Sequence, residues 1–460
     1  MHPSERARVH QQRGVRQQAA CSDAYTFFNV LTEPELFETL ESLLPEHRER
    51  LFPPTETLSM FLAQALNADR SCQRAVNESA VKRLLGGLPH CSTHTGGYCR
   101  ARLRLPLSMV AALTRESGRL MAARLPRAWH WQGRPVRLVD GTTVTMPDSR
   151  ANQTAYPHSR SQKPGLGFPL CRLAGILCLG SGAILNAAIG RYQGKGSDEQ
   201  TLLRSMLDTL ASGDLLLGDA YYASYFLLCA LQHRGVDGVF EQHAQRRRCT
   251  DFRRGRRLGS RDHLLSYDKP RKPHWMSQSD YDAAPASLTV RELYAAGKIL
   301  VTTLLCPKQT PKNALKELYR KRWHIELDLR NIKTTLGMEQ LSCKSPAMAE
   351  KELWVYLLAY NLLRLLMAQA ALQAGCLPRQ LSFKHTLQLW LVWRQHVLHG
   401  HHHQHLSMFF LHIAQQRVGQ RPGRREPRAV KRRPKQFPLL MKPRLMAKAD
   451  LEIAYPRKIK

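Results

Sequence analysis

Four side chains between Tyr319 and Lys333 combine a carboxylate with two cations and a phenol. At about 100° per residue of helix, Tyr319, Arg322, Glu326 and Lys333 fall within roughly 60° of one another. Such a face could be an ordinary solvated one, in which Arg322 and Glu326 pair four residues apart. It could instead hold Glu326 in a site whose other ligands come from elsewhere, with Arg322 and Lys333 reaching phosphates. The spacing alone leaves both interpretations open.

Two aspartates stand where predicted strands end. The run RPVRLVDG has the pattern of a strand and puts Asp140 at its C-terminal end or just inside it. LLLGDAYY places Asp219 directly after a buried-type strand. In sheets with helices on their faces, ligands gather at the carboxyl ends of strands. If these two strands are neighbours, Asp140 and Asp219 could share a metal ion.

Asp140, Asp219 and Glu326 supply only oxygen ligands, which suit Mg²⁺ or Mn²⁺ and not zinc. Three carboxylates can hold two such ions about 3.5–4 Å apart. Ions at that spacing activate a water or a 3′-hydroxyl and stabilise the leaving oxygen during in-line attack on phosphorus. The predicted chemistry is therefore phosphoryl transfer.

The elements that must position these residues run strand, strand, strand, helix, strand, helix, strand between residues 134 and 241. GSG at 180–182 is a strong hairpin signal between two apolar runs. Ser197 is predicted to cap the following helix, with Gln200 at the capping-box position. Hairpin-linked strands followed by alternating helices and strands imply an α/β fold, a mixed sheet with helices on its faces.

A basic insertion of about 242–305 interrupts this pattern. It is rich in arginine and carries Trp275 and Tyr281. Basic residues interleaved with aromatics can follow a phosphate backbone and stack a base, whereas a solvated insertion is the alternative. An apolar strand, KILVTTLL, then leads into the helix of Glu326, which we expect to begin near Pro311 and end near Gly337.

The remainder of the chain is predicted to be helical or disordered. Residues 1–24 are expected to form a basic flexible tail, and 25–130 a helical domain that binds DNA or caps the next domain. The catalytic domain would cover 131–345 and a helical region 346–416. The tail 417–460 is basic and proline-rich, and should stay disordered until it meets an anion.

Composition points to a polyanionic partner. Lys and Arg number 69 against 36 acids, a formal charge of +33, and nucleic acid is the favoured partner over a membrane surface. We expect no membrane-spanning helix, and the basic N-terminus lacks the apolar segment of a secretory signal. The scattered cysteines show no zinc-ligand spacing, so reduced cytosolic thiols are expected.

The ordered motifs resemble those of a known transposase family. Tyr319-x2-Arg322-x3-Glu326-x6-Lys333 matches in full the YREK signature of insertion-sequence transposases of the insertion-sequence-four family. VDGT at 139–142 looks like that family's first aspartate motif, and the stretch from Asp219 to Tyr222 looks like its second. The resemblance implies a ribonuclease-H-like catalytic fold with a mostly β insertion before Glu326.

The same resemblance implies a bacterial cut-and-paste transposase acting in the cytoplasm, on the nucleoid. It would bind terminal inverted repeats, pair two ends in a dimer, cleave with metal ions and transfer strands to a target, with excision through a DNA hairpin in some members. Tyr319, Arg322 and Lys333 would hold terminal phosphates, and Trp275 would stack a flipped base. Two alternatives stay open: a nuclease of similar fold that cuts without joining, and an inactive DNA-binding relative.

Overall fold

A computed structural model describes residues 42–44, 51–85, 90–163, 165–194, 196–396, 402–419 and 440–454. The strands are β1 (Val136–Thr145), β2 (Leu170–Cys178), β3 (Ile184–Arg191), β4 (Leu215–Gly218), β5 (Asp237–Glu241), β6 (Arg256–Gly259), β7 (Asp262–Asp268), β8 (Ser287–Ala295) and β9 (Lys298–Thr302). The predicted tail 1–24 and most of the predicted tail 417–460 lie outside the described residues.

Along the chain, helices precede, separate and follow these strands. They are α1 (Pro54–Leu66), α2 (Cys72–Leu85), α3 (Gly96–Arg104), α4 (Leu107–Ala123), α5 (Arg150–Ala155), α6 (Glu199–Arg204), α7 (Tyr225–His233), α8 (Ala244–Arg247), α9 (Gln278–Ala283), α10 (Lys312–Arg320), α11 (His324–Arg330), α12 (Pro346–Gln373), α13 (Phe383–His396), α14 (His402–Gln415) and α15 (Arg444–Ala454).

All nine strands form one sheet in the order β3-β2-β1-β4-β5-β9-β8-β7-β6. The pairs β1–β4 and β4–β5 are parallel, and the other neighbours are antiparallel. The predicted run of three strands, helix, strand, helix and strand is confirmed, as is the mixed α/β class. Antiparallel β9 pairs with β5, so the insertion extends the main sheet.

Both faces of the central strands are buried. Leu138 and Leu217 belong to one core, with α10, α11 and α12, whereas Val139 and Leu216 belong to the other, with α6 and α7. Because side chains alternate between the faces of a strand, each apolar run supplies both cores. The central strands therefore lie in a layer between helices.

Ion pairs anchor the insertion to the helix that follows it. Arg291 is fully buried and donates to both carboxylate oxygens of Asp262, at 2.8 and 2.6 Å, and to the carbonyl of Thr310 at 2.7 Å. A buried guanidinium requires such partners, because an unpaired charge in the interior is strongly unfavourable. These contacts fix β7 and β8 against the segment that leads into α10.

The long helix α12 is the centre of the larger core. By length and composition alone it is apolar enough to cross a membrane. However, 89% of its most apolar window is buried inside the protein. Packing explains its hydrophobicity, since α1, α4 and β3 all contact it.

The N-terminal helices form a layer against α12. Of the three arginines that crowd α3, Arg102 is buried and donates to Gln64 Oε1 at 3.1 Å, while Arg100 and Arg104 are exposed. Arg102 therefore serves packing, and the other two remain open to solvent. In the predicted C-terminal tail, the described helix α15 has no buried residue.

Candidate active site

The two aspartates lie at the ends of neighbouring parallel strands. Leu138 of β1 is in register with Leu217 of β4, and each aspartate follows its leucine by two residues. Alternation therefore directs Asp140 and Asp219 toward the same face of the sheet, the one covered by α10, α11 and α12. The condition under which the two aspartates could share a metal ion, that their strands are neighbours, is therefore met.

Glu326 comes from a helical segment that is interrupted twice. Helix α10 passes through a 3₁₀ turn at Lys321–Trp323 into α11, and a π-helical turn at Asn331–Thr335 follows. Pro311 is the N-cap, and Gly337 follows the last turn with φ of +82°, as predicted. The 3₁₀ turn winds more tightly than an α-helix and the π turn more loosely, so the four predicted residues do not follow a uniform helix.

Arg322 links two of the three carboxylates. Its Nη2 lies 2.7 Å from Glu326 Oε1, and its Nη1 lies 3.7 Å from Asp140 Oδ2. The Arg322 side chain is only 14% exposed. Arg322 pairs with Glu326, as expected for an ordinary solvated helix face. However, the Arg322 side chain is largely buried and also approaches Asp140, so this face is not simply solvated.

Burial is the main cause that raises the pKa of Asp140, to about 6. The backbone N–H of Gly141 donates to Asp140 Oδ1 at 2.8 Å and opposes the shift, as does Arg322. The charges of Asp219 and Glu199 add to it. Asp140 is thus held close to other carboxylates, where binding of a cation would be favourable.

Tyr319 fastens the helix to the end of β4. Its side chain is buried, and its hydroxyl donates to the carbonyl of Gly218, the residue before Asp219, at 3.3 Å. Burial raises the pKa of this phenol. The structure thus brings Tyr319 to the site through the backbone beside Asp219.

A buried carboxylate on α11, Asp328, helps to fix the helix that carries Glu326. Asp328 is fully buried and pairs with Arg364 of α12 and with Arg379, whose Nη1 lies 2.7 Å from Asp328 Oδ2. Arg364 in turn donates to the hydroxyl of Tyr360 at 2.8 Å. This network fixes α11 against the core, two residues from Glu326.

The other two predicted residues are Lys333 and Trp275. Lys333 sits half-buried in the π turn and forms no ion pair within the described residues. Trp275 is 47% exposed; the guanidinium carbon of Arg204 lies 3.8 Å from its ring centroid, and Phe226 contacts it edge-on. One face of Trp275 is therefore covered by a residue of α6.

The sequence analysis missed a fourth carboxylate, Glu199. A β-carbon at Gly141 would lie 2.3 Å from Glu199 Cδ, so this carboxyl group rests against the backbone beside Asp140. Burial is the main cause that raises the pKa of Glu199; the charge of Arg172 opposes the shift and that of Asp219 adds to it. The helix cap is Asp198, not Ser197 as predicted, because Asp198 Oδ1 accepts from the N–H of Thr201 at 3.0 Å.

The donor set fits hard divalent cations, since every carboxylate here offers oxygen ligands only. As the side chains stand, no three acidic, histidine or cysteine residues of the described chain converge closely enough to hold one ion. Arg322 occupies the space between Asp140 and Glu326. Rotation of these side chains would have to accompany metal binding.

Three comparisons identify the relatives of this chain. Residues 131–362, just over half of the chain, match the family model described as "Transposase DDE domain". "Transposase InsG for insertion sequence element IS4" of Escherichia coli (strain K12) is 27% identical over 424 residues, 88% of this chain and 92% of that protein. "Putative transposase InsZ" of the same organism is 28% identical over 139 residues, 30% of this chain and 46% of that protein.

Among solved structures, a cryo-EM structure titled as the piggyBac transposase synaptic complex with hairpin DNA aligns with 87% of this chain and 86% of that one. Its TM-score is 0.44 at 10% identity, a likeness too distant to carry an argument.

The family match and the site agree on the class. The chain belongs to the DDE transposase family. It is a transposase of the insertion-sequence type, a metal-dependent enzyme that binds and cleaves DNA. The family resemblance drawn from the YREK signature is confirmed.

Proposed function

We propose that this transposase moves its element by cut and paste, with Asp140, Asp219 and Glu326 as its catalytic metal ligands. The observation that carries the proposal is geometric. Asp140 and Asp219 end adjacent parallel strands, and Arg322 contacts both Asp140 and Glu326. Three acidic residues spread over most of the DDE domain thus approach one edge of the sheet.

The catalytic domain is proposed to be ribonuclease-H-like. Three antiparallel strands followed by two parallel ones, with helices on both faces, support this proposal. The insertion between Asp219 and Glu326 is mostly β, as the family resemblance implied.

Asp140, Asp219 and Glu326 would hold two Mg²⁺ ions, or Mn²⁺ in their place. When bound, such ions polarise the attacking water or 3′-hydroxyl and the leaving oxygen of the phosphodiester. The carboxylates would position the metal ions and balance their charge, and none of them needs to attack phosphorus itself. Asp140 must lose its proton before it can ligate, and its raised pKa makes that step sensitive to pH.

The remaining signature residues act on the DNA strand. Arg322, released from Asp140 and Glu326, would grip a terminal phosphate with its planar donors. Lys333, which has no ion pair in the described chain, would approach phosphate as a point charge. Tyr319 would contact the same terminus from its position against Gly218, and the exposed face of Trp275 would stack a flipped base.

The proposed partners are the element's terminal inverted repeats and a target DNA. Two ends would be paired by a homodimer in the bacterial cytoplasm, on the nucleoid. The formal charge of +33 supports an extended contact with DNA.

One experiment separates this function from that of a nuclease. The full chain is incubated with Mg²⁺ and DNA whose element ends are already cut to expose 3′-hydroxyls. A transposase joins those ends to a target, so covalently joined products are expected. Cleavage of uncut ends without joining would identify a nuclease, and neither product with normal DNA binding would identify an inactive relative.

A further inference from the structure

We propose that Glu199 is a fourth carboxylate of the cation site and contacts the metal ions from the face of the sheet opposite Asp140. The inference rests on the proposed function and adds one residue to the same site. It would give the site four acidic side chains where the motifs alone indicate three.

The close approach of Glu199 depends on Gly141. Side chains alternate along β1, so a β-carbon at Gly141 would point away from the face of Asp140. That direction leads into Glu199, whose Cδ, Oε1 and Cγ would lie 2.3, 2.5 and 2.7 Å from such a carbon. Only glycine leaves room for a carboxylate at this point of the strand. Glu199 therefore reaches the backbone immediately beside Asp140.

The start of α6 is tied to the loop that carries Asp219. Tyr222 is fully buried, and its hydroxyl donates to Glu199 Oε2 at 3.3 Å. Gln200 donates to the carbonyl of Tyr221 and accepts from the hydroxyl of Ser224 at 3.0 Å. Tyr222 is the aromatic residue of the second aspartate motif, so the motif itself holds Glu199 in place.

The charge balance of this region requires cations. Asp140, Asp219, Glu326 and Glu199 carry four formal negative charges, and in the part of the chain that the structure describes Arg322 pairs with two of them, Asp140 and Glu326. Within the described residues, no lysine, arginine or histidine nitrogen lies within 4.0 Å of a carboxylate oxygen of Asp219 or Glu199. Half-buried carboxylates without a direct ion-pair partner are unfavourable, and the charge of Arg172 offsets that of Glu199 only from beyond ion-pair distance. Two divalent cations would neutralise all four.

A purely structural role for Glu199 would call for a direct ion pair, and within the described residues Glu199 forms none; the charge of Arg172 lowers its pKa without an ion-pair contact. The guanidinium of Arg172 donates to the carbonyls of Ser197 and Tyr192, both at 3.3 Å. A single neutral hydroxyl from Tyr222 is a weak partner for a carboxylate. The arrangement is better explained as a ligand that waits for a cation.

The test is direct titration of the metal-free full chain with Mn²⁺ by calorimetry. Glu199→Gln keeps the shape of the side chain and its bond from Tyr222 but removes the charge. We expect its Mn²⁺ affinity to fall about 10-fold or more, with binding of end DNA in EDTA unchanged. Glu116→Gln is the matched control, because Glu116 lies on α4 and pairs with Arg119 at 2.6 Å. It should bind Mn²⁺ as the unaltered chain does.

A second variant moves the carboxylate without removing its charge. Gly141→Ala places a methyl group where the Glu199 side chain lies, and the flexible glutamate must swing away. Mn²⁺ affinity should fall again. Melting in EDTA separates this account from a structural one: Glu199→Gln should melt no lower than the unaltered chain, because it removes repulsion among carboxylates.

The following results would overturn the proposed role of Glu199. Wild-type Mn²⁺ affinity in Glu199→Gln, or a melting temperature several degrees lower in EDTA, would overturn the inference. Asp140→Asn is titrated in parallel to distinguish the failure of this inference from that of the proposed function. If Asp140→Asn also keeps full Mn²⁺ affinity, the proposed metal site itself is wrong; if it alone loses affinity, only the role of Glu199 is.

Discussion

Nη2 of Arg322 lies 2.7 Å from Oε1 of Glu326, one helical turn further along the chain. The same guanidinium approaches Asp140 on a strand almost two hundred residues earlier. A cation that neutralises two carboxylates before metal arrives stabilises a cluster that would otherwise repel itself. It also places an arginine beside the proposed position of the scissile phosphate.

Replacement of Arg322 should therefore affect chemistry more than binding. For Arg322→Ala we expect the rate of end cleavage to fall about 10²–10³-fold, the scale of losing one preorganised electrostatic contact. Arg322→Lys should recover little, because an ammonium lacks the planar fork. The measurement compares single-turnover cleavage with DNA affinity. Arg320→Ala, at an exposed ion pair with Glu317, is the control; equal losses of binding and cleavage in Arg322→Ala would mean that it only anchors the DNA backbone.

Asp140 should make metal-free stability depend on pH. Its folded pKa of about 6 exceeds the ordinary value of 3.8, so the folded state holds this proton more tightly than the unfolded chain does. The associated stability is present below about pH 4 and is lost as pH rises through about 6. In EDTA at pH 7–8, Asp140→Asn should be more stable by about 1–3 kcal/mol, and the difference should vanish near pH 4. The measurement is denaturant unfolding of both proteins from pH 4 to pH 8. If the difference in their unfolding free energies stayed the same across this range, the burial argument would be contradicted.

Gly337 should tolerate no side chain. Its φ of +82° disfavours other residues, and a β-carbon there would lie 1.6 Å from Nη2 of Arg70. Arg70 also donates to the carbonyl of Gly337 at 2.8 Å. Gly337→Ala should cost about 1–3 kcal/mol of unfolding free energy and lower the melting temperature. Gly297→Ala, at φ of +80° with open space around it, controls for backbone strain alone; an equal loss in both variants would exclude a role for the Arg70 contact.

Affinity for DNA should depend steeply on salt. The chain carries a formal charge of +33, and each phosphate neutralised releases condensed counterions. A plot of log affinity against log salt should be linear, with a slope corresponding to several phosphates. Fluorescence anisotropy with end DNA and with an unrelated duplex of equal length provides the measurement. A nearly flat plot for both duplexes would contradict the charge argument.

The sequence was sufficient to predict the order of strands and the positions of the three carboxylates relative to them. Asp140 and Asp219 follow apolar runs that can be recognised as strands from the sequence itself. Pro311 and Gly337 mark the two ends of the helical segment of Glu326, because proline favours a helix start and glycine a helix end whatever packs against them. These features depend on residues adjacent in the sequence, which is why a single sequence is enough to predict them.

Contacts across the fold could not be predicted in the same way. Nothing local indicates that Gly141 faces Glu199, because the two residues meet only when α6 packs on β1. Nor does the sequence show that Tyr319 is buried against Gly218, or that Arg102 turns inward. The composition of α12 does not distinguish a buried core helix from a membrane span, since both are hydrophobic all round; its packing in the structure does, with 89% of its most apolar window buried.

The most direct test of the central claim is Mg²⁺-dependent cleavage of DNA carrying the element's ends by the Asp219→Asn variant. Asp208→Asn is measured beside it, because the Asp208 side chain is 97% exposed. With Asp219 as a metal ligand, Asp219→Asn should bind the DNA normally and cleave none of it above background, while Asp208→Asn cleaves at the wild-type rate. Cleavage by Asp219→Asn at a rate near that of the unaltered chain would contradict the assignment.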